Sequence, residues 1–324
     1  MSSPDIKSAS GIWSLQEVRD ARYLDIWPQV TPQKTIFGFG ANASNASTAI
    51  VNYFDSEGNY INEITSIGTA RHGLAAAGYG GDKAIFGFGY SSATTNTLNT
   101  INLISSSGSM SSDTSGVGTA RSGLAAATYG GDKAIFGYGQ AGSVVYINNL
   151  ISNTGVVATD STGVGPARRN LAAGSLENGY AIFAYGFTSG ATNIYSIVND
   201  AGMVGVYSTF TNSSSRYALA ATTFAFDRVM FGFGYSGGLI NITTIVTGRG
   251  VYTLDESGVG TARSSLAAAG YGGDKGIFGY GENVSAPAFN QTNKVSNVGV
   301  IASDTTGVGT VRGGLAAATY SNSI

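Results

Sequence analysis

Apolar and polar positions along this chain recur with a period near 48 residues. The clearest copy is Ala120–Gly139, ARSGLAAATYGGDKAIFGYG, with near-copies at Ala70–Gly89 and Ala262–Gly281. Weaker copies begin at Ala167 and Ser215, and a truncated one, VRGGLAAATY, begins at Val311. In the clearest copy a strand of small apolar residues, Leu124–Tyr129, runs into Gly130-Gly131-Asp132-Lys133. That turn is hairpin chemistry, because Gly accepts the positive φ a tight turn needs. A second strand, Ala134–Gly139, alternates large side chains with Gly, which predicts a place where neighbouring backbones approach closely. A polar loop follows, then a third strand near Tyr146–Ile151, the turn Ser152–Gly155 and a fourth strand at Val156–Thr159. Four short strands per period, with no helix between them, predict a propeller blade.

The second-strand pattern occurs at Ile36–Gly40, Ile85–Gly89, Ile135–Gly139, Ile182–Gly186, Met230–Gly234 and Ile277–Gly281. The first copy has no small-apolar strand before it, and the last such strand, Leu315–Tyr320, has nothing after it. These halves complement each other. They predict an all-β fold, a single six-bladed β-propeller over residues 34–324 with four strands per blade. The C-terminal strand pairs beside the N-terminal blade, which closes the ring and removes an open sheet edge.

Residues 1–33 stand outside the repeat. There Ser14-Leu15-Gln16-Glu17 is a capping-box pattern that opens a short helix, which Trp27-Pro28 stops. Trp13, Leu15 and Trp27 form a candidate docking segment for another protein. The alternative is a cap packed on the propeller.

Composition narrows the chemistry. Basic and acidic residues number 17 and 19, so nucleic acid is not an expected partner. Cysteine is absent, no basic and apolar signal segment opens the chain, and no 18 apolar residues run together. A soluble protein without membrane insertion is expected. The single histidine, His72, leaves no His-based triad or zinc site. The Gly-Phe-Gly and Gly-Tyr-Gly runs precede no helix, so they are not phosphate loops, and no calcium-loop spacing occurs. The inventory points to a non-enzymatic protein without metal or cofactor.

One constellation has geometric content. Arg71, Arg121, Arg168, Arg216, Arg263 and Arg312 are spaced by 50, 47, 48, 47 and 49 residues. Each stands in the link between one blade and the next, so all six are expected at the same end of the central channel. As a channel-mouth ring they are placed to bind a carboxylate, phosphate or anionic sugar. As structural clamps they pair with acids. Glu63, Asp113, Asp160, Asp255 and Asp304 stand eight residues before an Arg, and only Ser208, before Arg216, breaks the series. Arginine suits such pairing because its planar fork grips a carboxylate with two hydrogen bonds. The segments that differ between repeats are Ala41–Ser47, Tyr90–Asn96, Gln140–Ser143, Phe187–Ala191, Tyr235–Gly238 and Glu282–Asn290. Divergent loops on a common scaffold are a usual way to build a binding face.

An Arg before the first strand, a hairpin into an apolar strand ending in glycines, and a blade of about 50 residues resemble kelch repeats across residues 34–320. The ending here is mostly Gly-Tyr-Gly or Gly-Phe-Gly where kelch blades carry a Gly-Gly doublet, and the repeats contain no Trp. The segment GIWSLQEVRDARYLDIWP is similar to N-terminal segments of structural and tail-fibre proteins of tailed bacteriophages. That resemblance implies a virion location, docking of residues 1–33 to other tail or capsid proteins, and loops presented to a host surface glycan or protein. The other reading is a stand-alone carbohydrate-binding propeller of kelch or lectin type.

Overall fold

In the computed structural model, which describes residues 33–248, 251–283 and 286–321, every small-apolar strand but the last pairs antiparallel with the second strand of its own repeat, and the last pairs with the first strand of the repeat region. Blade 3 shows the plan: Ala125–Tyr129 is innermost, followed outward by Lys133–Gly137, Ile147–Ile151 and Ser161–Thr162. Blade 4 repeats it with Ala172–Ser175, Ala181–Ala184, Ile194–Val198 and Val204–Thr209. Blade 5 uses Ala220–Phe224, Arg228–Gly232, Thr243–Thr247 and Val251–Tyr252. Blade 1 is built from both ends of the repeat region. Its innermost strand, Ala316–Ser321, pairs with Gln33–Gly38 over six residues, and Ile50–Phe54 and Tyr60–Thr65 complete it. The ring therefore closes where the complementary half-repeats predict.

Blades 2 and 6 depart from four strands. Ala75–Tyr79, Lys83–Gly87 and Ile101–Ile104 form blade 2, and Ala267–Tyr271, Lys275–Asn283 and Ala286–Val295 form blade 6. Their outer edges shrink to single bridges, Ile101↔Thr114 and Ile104↔Met110 in one and Val295↔Ile301 in the other. In blade 2 this edge is Ser-rich and has no alternating apolar residues to bury, so little selects an extended strand. Among the described residues no helix is long and apolar enough to cross a membrane. Trp13, Leu15 and Trp27 lie outside the described residues.

The Gly–aromatic–Gly ending of the second strand locks each blade to the next. The chain leaves that strand through Phe39, Phe88, Tyr138, Tyr185, Phe233 or Tyr280, each at φ of 63–66°. Such a left-handed conformation is uncommon for a bulky side chain and costs about 1–2 kcal/mol. It turns the ring toward the following blade, against Phe86, Phe136, Phe183, Phe231, Phe278 or Phe37, with centroids 5.2–5.6 Å apart. Tilted and edge-on aromatic pairs at this spacing are favourable. The glycine that follows is obligatory: at Gly139, φ is +112° and a Cβ would stand 2.9 Å from the Ser122 carbonyl oxygen.

Six innermost strands converge on a channel lined by Ala76, Ala126, Ala173, Ala221, Ala268 and Ala317. At one mouth the backbone closes a circle of hydrogen bonds. Gly73 N–H donates to Gly314, Gly123 to Gly73, Asn170 to Gly123, Ala218 to Asn170, Ser265 to Ala218 and Gly314 to Ser265, all at 2.7–2.8 Å. Each blade is thus tied to both neighbours at the axis.

Candidate functional site: arginine clamps and channel mouth

The six arginines are all fully buried, and none lines either end of the channel. Each guanidinium carbon lies 4.1–4.6 Å over the left-handed aromatic ring of the preceding blade. Desolvated cation–π contacts of this kind contribute on the order of 2 kcal/mol. Arg121 shows the full set of bonds. Its Nε donates to the Tyr138 carbonyl at 2.8 Å, Nη1 to the Thr119 carbonyl at 3.1 Å and Nη2 to Asn149 Oδ1 at 2.7 Å. Asn102, Asn293 and Asn52 play the part of Asn149 for Arg71, Arg263 and Arg312. A ring that binds an anion in the channel mouth is therefore not what these residues form.

The acids are partners, but in another register than sequence spacing suggests. Arg71 meets Asp113 at 3.9 Å, Arg121 Asp160 at 4.0 Å and Arg216 Asp255 at 3.6 Å. Arg263 meets Asp304 at 3.4 Å and Arg312 meets Glu63 at 3.7 Å. Each Arg takes the acid at the far end of its own blade; the acid eight residues before it belongs to the blade already finished. Arg216 is consequently paired, and among the described residues Arg168, whose blade carries Ser208, is the one of the six without a carboxylate. The acids also accept from the link: Thr69, Thr119, Thr261 and Thr310 each give a backbone N–H and a hydroxyl to one carboxylate.

Burial pulls the Arg71, Arg121 and Arg263 guanidiniums down to about 10, with the nearby aspartate opposing the shift, so they stay charged at neutral pH. Burial alone would raise the five carboxyls. Hydrogen bonds from Thr, Ser or Asn neighbours and the arginine charge outweigh it, and all five lie below their ordinary values. The unfolded chain therefore takes up protons before the native state does, and the stability present above the ordinary carboxylate range, about pH 4, is lost as pH falls through it. Melting temperature is expected to hold from neutral pH to about pH 5 and then to fall steadily. A flat profile down to about pH 3 would remove the acids from the clamp.

The polar groups left over gather at the mouth encircled by the backbone belt. A cavity of about 260 Å³ there is lined by His72, Asn170, Ser265 and Glu282 above a layer of buried leucines. The residues after the arginines bridge to the first residues of the divergent loops: His72 to Tyr90, Ser122 to Gln140, Arg169 to Phe187, Tyr217 to Tyr235 and Ser264 to Glu282. Phe187, Tyr217 and Tyr235 form a partly buried aromatic group with centroids 5.1 and 5.4 Å apart. Arg169 lies over Phe187 and donates to Gln140 Oε1. Burial raises the Glu282 carboxyl, and lowers the His72 imidazole, whose Nδ1 shares a hydrogen bond with Ser47 Oγ at 2.9 Å. Among the described residues no cluster of three His, Asp or Glu side chains is placed to hold a metal ion.

Sequence spacing missed the stacked aromatics and the asparagines. The six Gly–aromatic–Gly runs and the recurring Asn52, Asn102, Asn149 and Asn293 were the available signals. Compared with known proteins, the chain matches no protein-family model and no curated sequence, so fold and site geometry carry the functional reading.

Proposed function

We propose that the chain is a non-enzymatic structural protein of a bacteriophage particle, of tail-fibre or tail-associated type. It docks to other virion proteins through residues 1–33 and presents its channel-mouth face to a host surface glycan or a neighbouring subunit. The observation that carries this reading is where the repeats agree and where they diverge. Arginines, stacked aromatics and the backbone belt recur around the ring and are consumed in holding the blades together. Divergence collects in the loops around one mouth, where partly buried aromatics and amide side chains remain available for contact. Rigid scaffolds with variable loops on one face are suited to recognition. The similarity of the N-terminal segment to phage structural proteins supplies the setting.

A chain beginning at Pro32 is expected to fold and melt cooperatively, since the ring closes from Gln33 onward, but to be left out of the assembled particle. Incorporation of this shortened chain at the level of the full chain would end the docking assignment. A second reading, a stand-alone carbohydrate-binding propeller, is favoured by Phe187, Tyr217 and Tyr235 together with Asn170 and Gln140. Glycan binding by a full chain that never associates with particles would select it.

A further inference from the structure

Arg168 breaks a pattern that the other blades keep. It is fully buried like its counterparts, yet among the described residues no carboxylate approaches it; its Nε and Nη1 have no acceptor, as at Arg216, but there Asp255 stands 3.6 Å from Nη1. Its Nη2 is held by Ser196 Oγ at 3.1 Å and the Phe183 carbonyl at 3.2 Å, and the guanidinium lies against the Tyr138 side chain. Two substitutions along the chain account for this. In four blades Nη1 donates to the carbonyl of the threonine two residues earlier, and in blade 4 that residue is Pro166, which receives no such bond. In blade 1 the residue opposite Asn52 on the outer strand is Glu63, whereas in blade 4 the residue opposite Ser196 is Tyr207.

Tyr207 occupies the acid's place. Gly118, Gly260 and Gly309, three residues before their arginines, face the carboxylates of Asp160, Asp304 and Glu63. The equivalent Gly165 faces the Tyr207 ring, with Cγ 3.0 Å from where its Cβ would stand. That ring is 48% exposed, so it is a cover lying at the surface, not a core side chain. In the paired blades the carboxylates that meet the arginines are themselves 13–31% exposed, so this position is reached from solvent around the ring.

An arginine cannot shed its proton to relieve burial, and a buried cation without an anion is unfavourable. Displacing a half-exposed ring to admit a carboxylate recreates the pairing that the other five blades build in. We propose that Arg168 is the binding site for the carboxylate group of an external ligand, covered by Tyr207 when empty. Nη1, the atom that meets the acid in the paired blades, provides the unfilled donor, while Ser196 Oγ, itself accepting from the Tyr138 hydroxyl, holds Nη2 in place. A small organic acid and the carboxylate of an acidic sugar share this chemistry. The site lies among the clamps and stands independently of the phage assignment.

Thermal melting of the full chain tests it at pH 7 and constant ionic strength, with sodium chloride replaced stepwise by sodium acetate or sodium glucuronate. The wild-type chain is expected to gain melting temperature with a saturable dependence on acetate. Tyr207→Asp is expected to melt higher than wild type in chloride and to lose the acetate response, because the carboxylate is then supplied internally. A response to glucuronate at concentrations tenfold or more below acetate would identify the ligand as an acidic sugar, and equal midpoints would identify a small carboxylate. A wild-type chain that does not respond to either salt overturns the proposal. So does a Tyr207→Asp chain that responds as strongly as wild type, because the ion would then be binding elsewhere.

Discussion

Removing residues 313–324 is expected to give an aggregated, insoluble protein in place of a five-and-a-half-bladed one. The deletion takes away Ala316–Ser321, whose six-residue register with Gln33–Gly38 is what joins the two ends of the repeat region. It also takes Gly314, and with it two of the hydrogen bonds in the backbone belt around the channel mouth. The losses extend beyond blade 1. Ala316, Ala318 and Tyr320 belong to the core shared with Ile36, Phe39, Leu74 and Phe86, while Leu315 and Ala317 pack with Phe37, Ile277 and Tyr280. Both neighbouring interfaces would be opened to water. The strand Gln33–Gly38 would keep its apolar side chains and present an unpaired edge, which templates pairing with other chains. Soluble yield and a circular-dichroism melt decide the matter. A soluble truncation with a single cooperative transition would mean that closure contributes little.

Much of this architecture was legible because a propeller repeats one structural sentence. A strand missing from the first copy and left over in the last has one placement that leaves no edge, and Leu315–Tyr320 takes it. Strand ends were legible to within a residue or two where turns are made by Gly130-Gly131 and their equivalents. The pairing of Arg with acid was legible in kind but not in register. An acid eight residues before an arginine and one about forty residues after it satisfy the same period, so spacing alone cannot choose between them. The choice is made in three dimensions: the link that carries the arginine crosses to a new blade, and the earlier acid stays with the old one. Ser208 therefore marks Arg168, not Arg216, as the unpaired cation. The Gly–aromatic–Gly ending carried the opposite lesson. Its glycines do mark close approach, as at Gly87, where a Cβ would stand 2.7 Å from the Phe136 ring. What alternation could not reveal is the left-handed turn that puts each aromatic between a guanidinium and the next Phe.

Arg121→Ala is expected to cost about 3–5 kcal/mol of folding stability, among the largest losses from any single side chain here. The ion pair is the smaller part of this, because Asp160 is 4.0 Å away, partly exposed, and keeps its bonds from Thr119 and Asn149. The larger part is what the guanidinium leaves behind: the Tyr138 and Thr119 carbonyls and Asn149 Oδ1 lose their donors, and Phe88 loses the cation over its face. Each buried acceptor left unpaired costs about 1–3 kcal/mol, offset where water can enter the space. Arg168→Ala creates a similar hole over Tyr138 but removes a cation with fewer partners and no carboxylate. Its loss is expected to be smaller than that of Arg121→Ala by at least about 1 kcal/mol. Arg216→Ala falls between them: its Nη2 reaches Thr244 and its Nη1 stands 3.6 Å from Asp255, but neither Nε nor Nη1 makes a hydrogen bond. Denaturant titrations of the three variants rank them directly. Equal losses at positions 121 and 168, or the mildest loss at position 216, would show that the clamps do not work through these partners.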